Sequence, residues 1–372
     1  MITRELRYAV RRALAAAGFS PDADPGLRPA GIPGGYAASV ALTLGANPRA
    51  IAEVLAAALA SEQWIASVKV TGPGYLTVAV TPEALAAVAG DITAEGAACV
   101  TSDALSGVTI PAAPPGDPLA AATWEEARTA LAARLTARLA AAAGATVAEF
   151  AASERNRLTL TPHPASLDPP DIAAAVAFAG RDAVLFTLAR AVPGKPQRVD
   201  PAIIARHVPG NPAYAVRYAH ARAASGMRWA AASSAADTIG FGEAPQSLPA
   251  DPKSELVVPA AGADTMAVSA IGSSRGDIGG YGGSPPRMAA VLLDALSWLP
   301  ERVATAARRG RPDEFARYLE DLASVTVDVL SSASHPGIAA APGSDRLTLA
   351  VAARTGLAAG LGLLEVTAPD RL

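Results

Sequence analysis

NPAYAVRYAHARAASGMR, residues 211–228, is the stretch on which the reading of this chain turns. Asn211 offers a side-chain oxygen that can accept from the free amides of a first helical turn. Pro212 suits the first helical position, where its missing N–H and fixed φ cost nothing. An alanine-rich run without a breaker until Gly226 then predicts one helix from Pro212 to about Ala231. Tyr214, Tyr218, Ala221 and Ser225 recur at three- and four-residue spacing and share a face, while Arg217, His220, Arg222 and Arg228 project elsewhere. No acidic residue lies between Pro201 and Ala230. A helix this basic and aromatic, in a chain of formal net charge −3, calls for a functional explanation.

The totals bound that explanation. At 372 residues the chain has room for two or three domains. It is 51% hydrophobic, 17% charged and 5% aromatic, and much of the apolar share is alanine, which favours helix but buries little area. With a slightly negative total there is no global basic field, so any nucleic-acid binding must rest on local patches such as 201–230. The single cysteine, Cys99, excludes an internal disulfide and a cysteine-cluster metal site, which fits a reducing cytoplasm. Arginines spread through MITRELRYAVRRALAAAGF argue against a secretory signal, and no uncharged leucine-like run reaches membrane length. A cytoplasmic protein without a membrane partner is expected.

Working outward to the N-terminus, Leu6, Val10 and Leu14 repeat every four residues and predict an amphipathic helix over 2–17. Residues 20–35 are rich in Pro, Gly and Asp and read as loop, and 34–44 begin a half-buried element. Asn47-Pro48 starts a helix to Leu59 with Ile51, Val54, Leu55 and Leu59 inward. IASVKVTGPGYLTVAV (65–80) reads as two strands around a Gly-Pro-Gly turn, and Thr81-Pro82-Glu83 caps a further helix. Residues 1–90 therefore form a small α+β domain. Across 91–170 the pattern is weaker. IPAAPPGDP (110–118) has linker composition, Thr123 and Glu126 form a capping box for a long helix, and RNRLTLTPHP (155–164) is a candidate strand. From 171 onward the chain reads as helices: 171–187, the long helix at 212, one ending at Pro300, one opened by Pro312, and one from Arg346 capped by Ser344-Asp345. GSSRGDIGGYGGSPP (272–286) has the glycine density of a phosphate loop but no preceding strand and no Lys, and reads as a flexible loop. The expected fold class is α+β: a small N-terminal α+β domain (1–90), a reduced middle segment (91–170) and a C-terminal all-α bundle (171–372).

Several of these stretches carry a resemblance. NPAYAVRYAHAR is similar to the segment that opens the DALR-type anticodon-binding domain of arginyl-tRNA synthetases. LSWLPERV (296–303), RYLEDLASV (317–325) and RLTLAVAARTGLAAGLGLLEVTAPDRL (346–372) continue the likeness. At the other end Gly34, Gly35, Tyr36 and Ser39 resemble that family's GDYxxN motif, Asn47-Pro48-Arg49 its NPR helix start, and Gly72-Pro73-Gly74-Tyr75-Leu76 its GPGF strand. The resemblance implies an N-terminal domain that meets the D-loop corner of tRNA and a helical bundle that meets the anticodon arm. Gly35 and Ser39 depart from the motif's Asp and Asn, so the likeness does not extend to those two polar groups. The residues it implicates in tRNA binding are Tyr36, Ser39 and Tyr75 in the first domain. In the bundle they are Arg217, Tyr218, His220, Arg222 and Arg228, with Arg317 and Arg371.

The family's catalytic domain is expected to be missing. Each βαβ unit needs roughly 30 residues, so the middle segment cannot hold a five-stranded doubly wound sheet. No HIGH-type signature is present, and the nearest run, His207-Val208-Pro209-Gly210, lacks the second His. No KMSKS-type loop is present either, the only lysines being Lys69, Lys195 and Lys253. None of His163, His207, His220 and His335 is spaced as a metal ligand. Three readings stay open: a tRNA-binding adapter, with arginine tRNA the candidate, serving a partner enzyme and using no cofactor; an ATP-dependent arginine–tRNA ligase; and a protein-interaction scaffold that has lost RNA binding. DNA is not an expected partner.

Overall fold

Leu6, Val10 and Leu14 form the stripe that their spacing predicts, and all three are fully buried along α1 (Ile2–Ala16). In this computed structural model the described residues are 1–148, 171–193, 195, 199–238, 285–332 and 346–372, with backbone alone for 229–238 and 285–287. Four antiparallel strands follow α1: β1 (Arg28–Pro29), β2 (Gly35–Ala38), β3 (Ile65–Thr71) and β4 (Tyr75–Val80), in the order β1-β2-β4-β3. The loop expected over 20–35 thus contains a short edge strand. α2 (Pro48–Leu59) fills the connection from β2 to β3, with the Asn47 side chain accepting from the Ala50 amide. α3 (Pro82–Glu95) starts at a Thr81 cap. One sheet face, with Tyr36, Ala38, Leu76 and Val78, is almost entirely buried.

Gly74 shows why the turn between β3 and β4 reads Gly-Pro-Gly. Its φ is +141°, and a Cβ there would sit 2.8 Å from the Pro48 carbonyl carbon and oxygen. The turn therefore lies directly on the start of α2, and a side chain would meet backbone rather than something that can swing away.

The middle segment is more ordered than its linker composition suggests. β5 (Thr109–Pro111) pairs in parallel with β6 (Thr146–Ala148), and α4 (Trp124–Ala142) connects them, giving one βαβ unit. The expected capping box is present, with the Thr123 hydroxyl accepting from the Glu126 amide and the Glu126 carboxylate accepting from Thr123.

In the C-terminal part the helix expected over 171–187 is two, α5 (Ile172–Ala179) and α6 (Arg181–Ala189), bent by 116° at Gly180, whose φ is +85°. After the short α7 (Pro201–Ile204), α8 runs from Pro212 to Thr238 and passes through Gly226 without a break. α9 (Pro285–Ser297), α10 (Leu299–Arg309), α11 (Pro312–Ser332) and α12 (Arg346–Leu363) complete the bundle. α10 starts at Leu299, where a helix end at Pro300 was expected, because proline at the first turn of a helix opens it. α12 packs closely because its glycines leave room: a Cβ on Gly360 would lie 2.6 Å from Leu319 Cδ2. No single helix among the described residues is long and apolar enough to cross a membrane. The candidate strand at 155–164, His163, His335 and the Ser344-Asp345 cap lie outside the described residues. So does the run 272–286, except Pro285 and Pro286, which open α9.

The N-terminal module and the bundle share one continuous core, and a buried polar seam runs through it. The Thr3 hydroxyl donates to the Ser297 carbonyl (2.7 Å), and the Arg7 guanidinium meets Glu301 (2.6 Å), both nearly fully buried. The Gly34 amide donates to Asp294 (2.9 Å). The Ser297 hydroxyl spends its proton on the Asp294 carbonyl, so the Tyr36 hydroxyl is the donor in its 2.7 Å bond to Ser297. The Tyr36 ring stacks on Trp298 at 5.1 Å between centroids.

Candidate nucleic-acid interface

Asn211 builds the interface, by a route other than the expected one. Its side-chain amide donates to the carbonyls of Ile204 (2.7 Å) and Arg206 (2.8 Å), and it is nearly fully buried. It therefore ties the end of α7 to the start of α8 instead of accepting from the first turn. The tie folds the intervening residues back on the helix and brings His207 against Tyr214, with ring centroids 5.3 Å apart and planes 13° off parallel. Tyr214 stacks in turn on Tyr218, one turn on, at 5.7 Å and 19°. Arg222, expected to project elsewhere, instead continues the same stripe, because it lies four residues beyond Tyr218 on α8. His207 and Arg206 are exposed, and Tyr214, Tyr218 and Arg222 are half-buried. Neither Arg206 nor Arg222 has an ion-pair or hydrogen-bond partner for its guanidinium among the described residues.

The opposite side of α8 is structural. Ala213, Val216, Ala219 and Ala223 are buried against the bundle. His220 is a correction to the expected set: it is buried, with Nδ1 2.9 Å from the Pro369 carbonyl, so Nδ1 carries the proton. Burial holds its pKa below the ordinary histidine value, against the contrary pull of that carbonyl. Arg228 is exposed and donates to the Asp370 carbonyl (3.1 Å), and Arg354 holds the Asp370 carboxylate with two bonds of 2.9 and 3.1 Å. This side of α8 thus seats the segment 366–370. Arg217 is half-buried, 3.5 Å from Asp182, which also accepts from the Thr367 amide.

Tyr36 is the second correction. A ring with no exposed surface, stacked on Trp298 and bonded to Ser297, reaches no RNA. Burial pushes its hydroxyl pKa well above the ordinary phenol value. The other expected residues are scattered. Tyr75 is 42% exposed at the start of β4, and Ser39 is half-buried at the end of β2. Arg317 is exposed, 3.9 Å from Asp313, and Arg371 is exposed without a described partner. Tyr218 and Arg222 are therefore the expected residues that the structure brings together. His207 gives no sequence signal for this role, because it lies seven residues before Tyr214 and outside the helix. The Asn211 side-chain bonds, with the Asn211 amide donating to the Val208 carbonyl (2.9 Å), close the turn that makes them neighbours.

The βαβ unit offers a second place where anions ordinarily bind, the loop between a strand end and a helix N-terminus. Here the site is filled from within. The Glu126 carboxylate accepts from the amides of Ala122 and Thr123 (3.2 Å each), and Glu125 adds a second negative charge to the same turn. Asp117, in the preceding loop, is held by Arg181 through two bonds of 2.8 and 2.9 Å, which keeps its carboxyl below the usual range. Among the described residues no three His, Cys, Asp or Glu side chains gather as a metal site.

Residues 4–80 match the arginyl tRNA synthetase N terminal domain, and residues 286–372 match the DALR anticodon binding domain. Among solved structures the chain is similar to the arginyl-tRNA synthetase of Thermus thermophilus, at 20% identity and a TM-score of 0.34, over 68% of this chain and 40% of that one. It is also similar to a putative arginyl-tRNA synthetase from Campylobacter jejuni, at 15% identity and a TM-score of 0.36, over 67% of this chain and 44% of that one. The chain thus spans less than half the length of either structure. No curated protein matches it.

Proposed function

We propose that this arginyl-tRNA synthetase-like chain is a tRNA-binding protein that grips tRNA without activating an amino acid, and that it serves as an adapter presenting tRNA to a separate enzyme. The observation that carries the reading is the ladder of His207, Tyr214 and Tyr218, open to solvent and flanked by Arg206 and Arg222. Single-stranded RNA loops are held by stacking of unpaired bases on aromatic rings together with contacts from arginine to phosphate, and the ladder supplies both. The DALR match begins at residue 286, on helices that pack against the one bearing the ladder.

Two features favour binding over ligation. The βαβ unit has its helix N-terminus capped by its own glutamate, which is unfavourable for a nucleotide phosphate. Its connecting loop has neither the two histidines nor the lysines that the family signatures require. The work assigned to this chain is therefore recognition, with arginine tRNA as the first candidate and the cytoplasm as its place.

A filter-binding titration against total tRNA at low and moderate salt, with arginine tRNA as competitor, tests the reading. Saturable binding in which arginine tRNA competes best is the expected result. His207→Ala, an exposed change that leaves the bundle intact, should weaken binding about thirtyfold, the middle of the range of roughly 1–3 kcal/mol for losing one stacking partner. Arginine-dependent ATP–pyrophosphate exchange would overturn the non-catalytic part of the proposal. Absence of tRNA binding at low salt would overturn the whole of it and leave a protein-interaction scaffold in its place.

A further inference from the structure

A cleft of about 480 Å³ opens where three parts of the chain meet. Its walls come from α1 and the loop that follows it, from the stretch 104–110 that leads into β5, and from the last turn of α10. That volume is in the range of small-ligand pockets, which favour such junctions. Part of the wall is apolar. Leu105 is buried there, Ile110 is half-buried, and Val108 is left 43% exposed. The charged lining groups are Arg7 and Arg11 of α1, Arg308 of α10, and Asp22 and Asp24 of the loop.

These charges are unequally satisfied. Arg7 is engaged on both terminal nitrogens, by Asp24 (3.0 Å) and Glu301 (2.6 Å). Arg308 meets Asp24 through Nη1 (3.0 Å), and its other nitrogens have no hydrogen-bond partner among the described residues. Arg11 places Nη1 on Asp103 (2.5 Å), while its Nε is enclosed without an acceptor and its Nη2 bonds to nothing among the described residues. Two guanidiniums with unused donors thus line one cleft, whereas buried donors ordinarily find acceptors. A carboxylate fits this need, because its two oxygens accept from the planar fork of a guanidinium.

The acidic groups limit the charge of an occupant. Asp22 is exposed, and its carboxylate has no cation partner among the described residues. Against the pull of burial, Arg308 and Arg7 hold the Asp24 carboxyl below the ordinary range, so it stays charged at neutral pH. A dianion such as phosphate would meet repulsion from both, and its second charge would find no further guanidinium to offset it. A monoanion with an apolar body suits the donors and the open Val108 wall together.

We infer that this cleft binds a small organic acid of one negative charge, with its carboxylate on Arg11 and Arg308 and its hydrocarbon body along Leu105, Val108 and Ile110. The site shares no residue with the ladder on α8 and does not depend on the tRNA-binding reading. An occupant would touch the N-terminal module, the segment before β5 and the bundle at once, and so would stabilise their junction by mass action.

The test is calorimetric titration of the full chain with octanoate, compared with octanamide, octylammonium and inorganic phosphate. Octanoate should bind saturably and at least about tenfold more tightly than octanamide or octylammonium, the margin of one charge-assisted bond to arginine. Phosphate alone should not bind, and the thermal midpoint should rise with octanoate concentration. Arg308→Gln should bring octanoate down to the level of octanamide. Val108→Asp, an exposed change in the apolar wall, should weaken both ligands. Absence of saturable octanoate binding, an affinity no greater than that of octanamide, or wild-type affinity in both variants would each overturn the inference.

Discussion

Replacing Asp294 by Asn should stabilise the chain at neutral pH and have little comparable effect near pH 4. Asp294 sits in the seam between the N-terminal module and the bundle. Its Oδ1 accepts from the Gly34 amide, and its carboxyl faces the Tyr36 hydroxyl, the Trp298 indole and the Arg302 guanidinium. Burial raises its pKa from 3.8 to about 6, against the opposing pull of the Gly34 amide, Trp298, Tyr36 and Arg302. A carboxyl whose folded pKa lies above its unfolded value binds its proton more tightly in the folded state. Its contribution is therefore full below the unfolded pKa, lost as pH rises from about 4 to about 6, and absent above that. Two pKa units at about 1.36 kcal/mol each give an order of 3 kcal/mol withheld at pH 7. Asn keeps the oxygen that accepts from Gly34 and carries no charge, so it recovers this amount.

The assay is urea denaturation of wild type and Asp294→Asn at half-unit steps from about pH 4 to pH 8, with the difference in unfolding free energy plotted against pH. Other titrating groups, including buried His220, cancel in that difference. The difference should rise by about 3 kcal/mol across the window between the two pKa values and then stay level. A difference that is flat with pH, or that falls as pH rises, would refute the reasoning. It would mean that Arg302 and the Gly34 amide compensate the buried charge fully.

Two further substitutions probe the same architecture. Arg7→Met should cost about 3–5 kcal/mol by leaving Glu301 buried without its partner, and adding Glu301→Leu should recover most of the loss, both read from urea midpoints. Gly74→Ala should cost about 1–3 kcal/mol, since the new Cβ meets the Pro48 backbone at 2.8 Å in a conformation L-residues rarely adopt. A thermal melt unchanged by that substitution would show that the turn can lift off α2.

The α+β module and the helical bundle were legible because their signals are local. Leu6, Val10 and Leu14 are spaced for one helix face, Asn47-Pro48 and Thr123 with Glu126 are caps, and the Gly-Pro-Gly turn sits between two alternating runs. The interface was less legible because its geometry is set across elements. Tyr36 stands in a motif that the resemblance assigns to RNA contact, yet its ring is covered by Trp298, 262 positions away in sequence. His220 lies in the most family-like run of the chain, yet its partner is a carbonyl 149 residues on. Helical periodicity cannot say which of two polar faces meets solvent and which meets a returning segment. The parallel pairing of β5 with β6 was hidden for a related reason: three-residue strands separated by a whole helix leave no periodicity to read.

The displacement of Tyr36 from contact to seam bears on how two binding surfaces cooperate. A second contact strengthens a first only if the distance between them suits the ligand, and a loosely joined pair loses much of that gain to the entropy of alignment. Here α1 packs on α10, and α3 on α9 and α12. The joint is polar where apolar packing alone would allow sliding: Thr3 to Ser297, Arg7 to Glu301, Tyr36 to Ser297 and Gly34 to Asp294 each admit one register. Burying those groups costs stability, and the raised pKa of Asp294 measures part of that cost. The cost is reasonable if the N-terminal module and the aromatic ladder must keep a fixed separation. Tyr36 then acts as a joint residue, holding the N-terminal module in line with the helix that carries Tyr218 and Arg222.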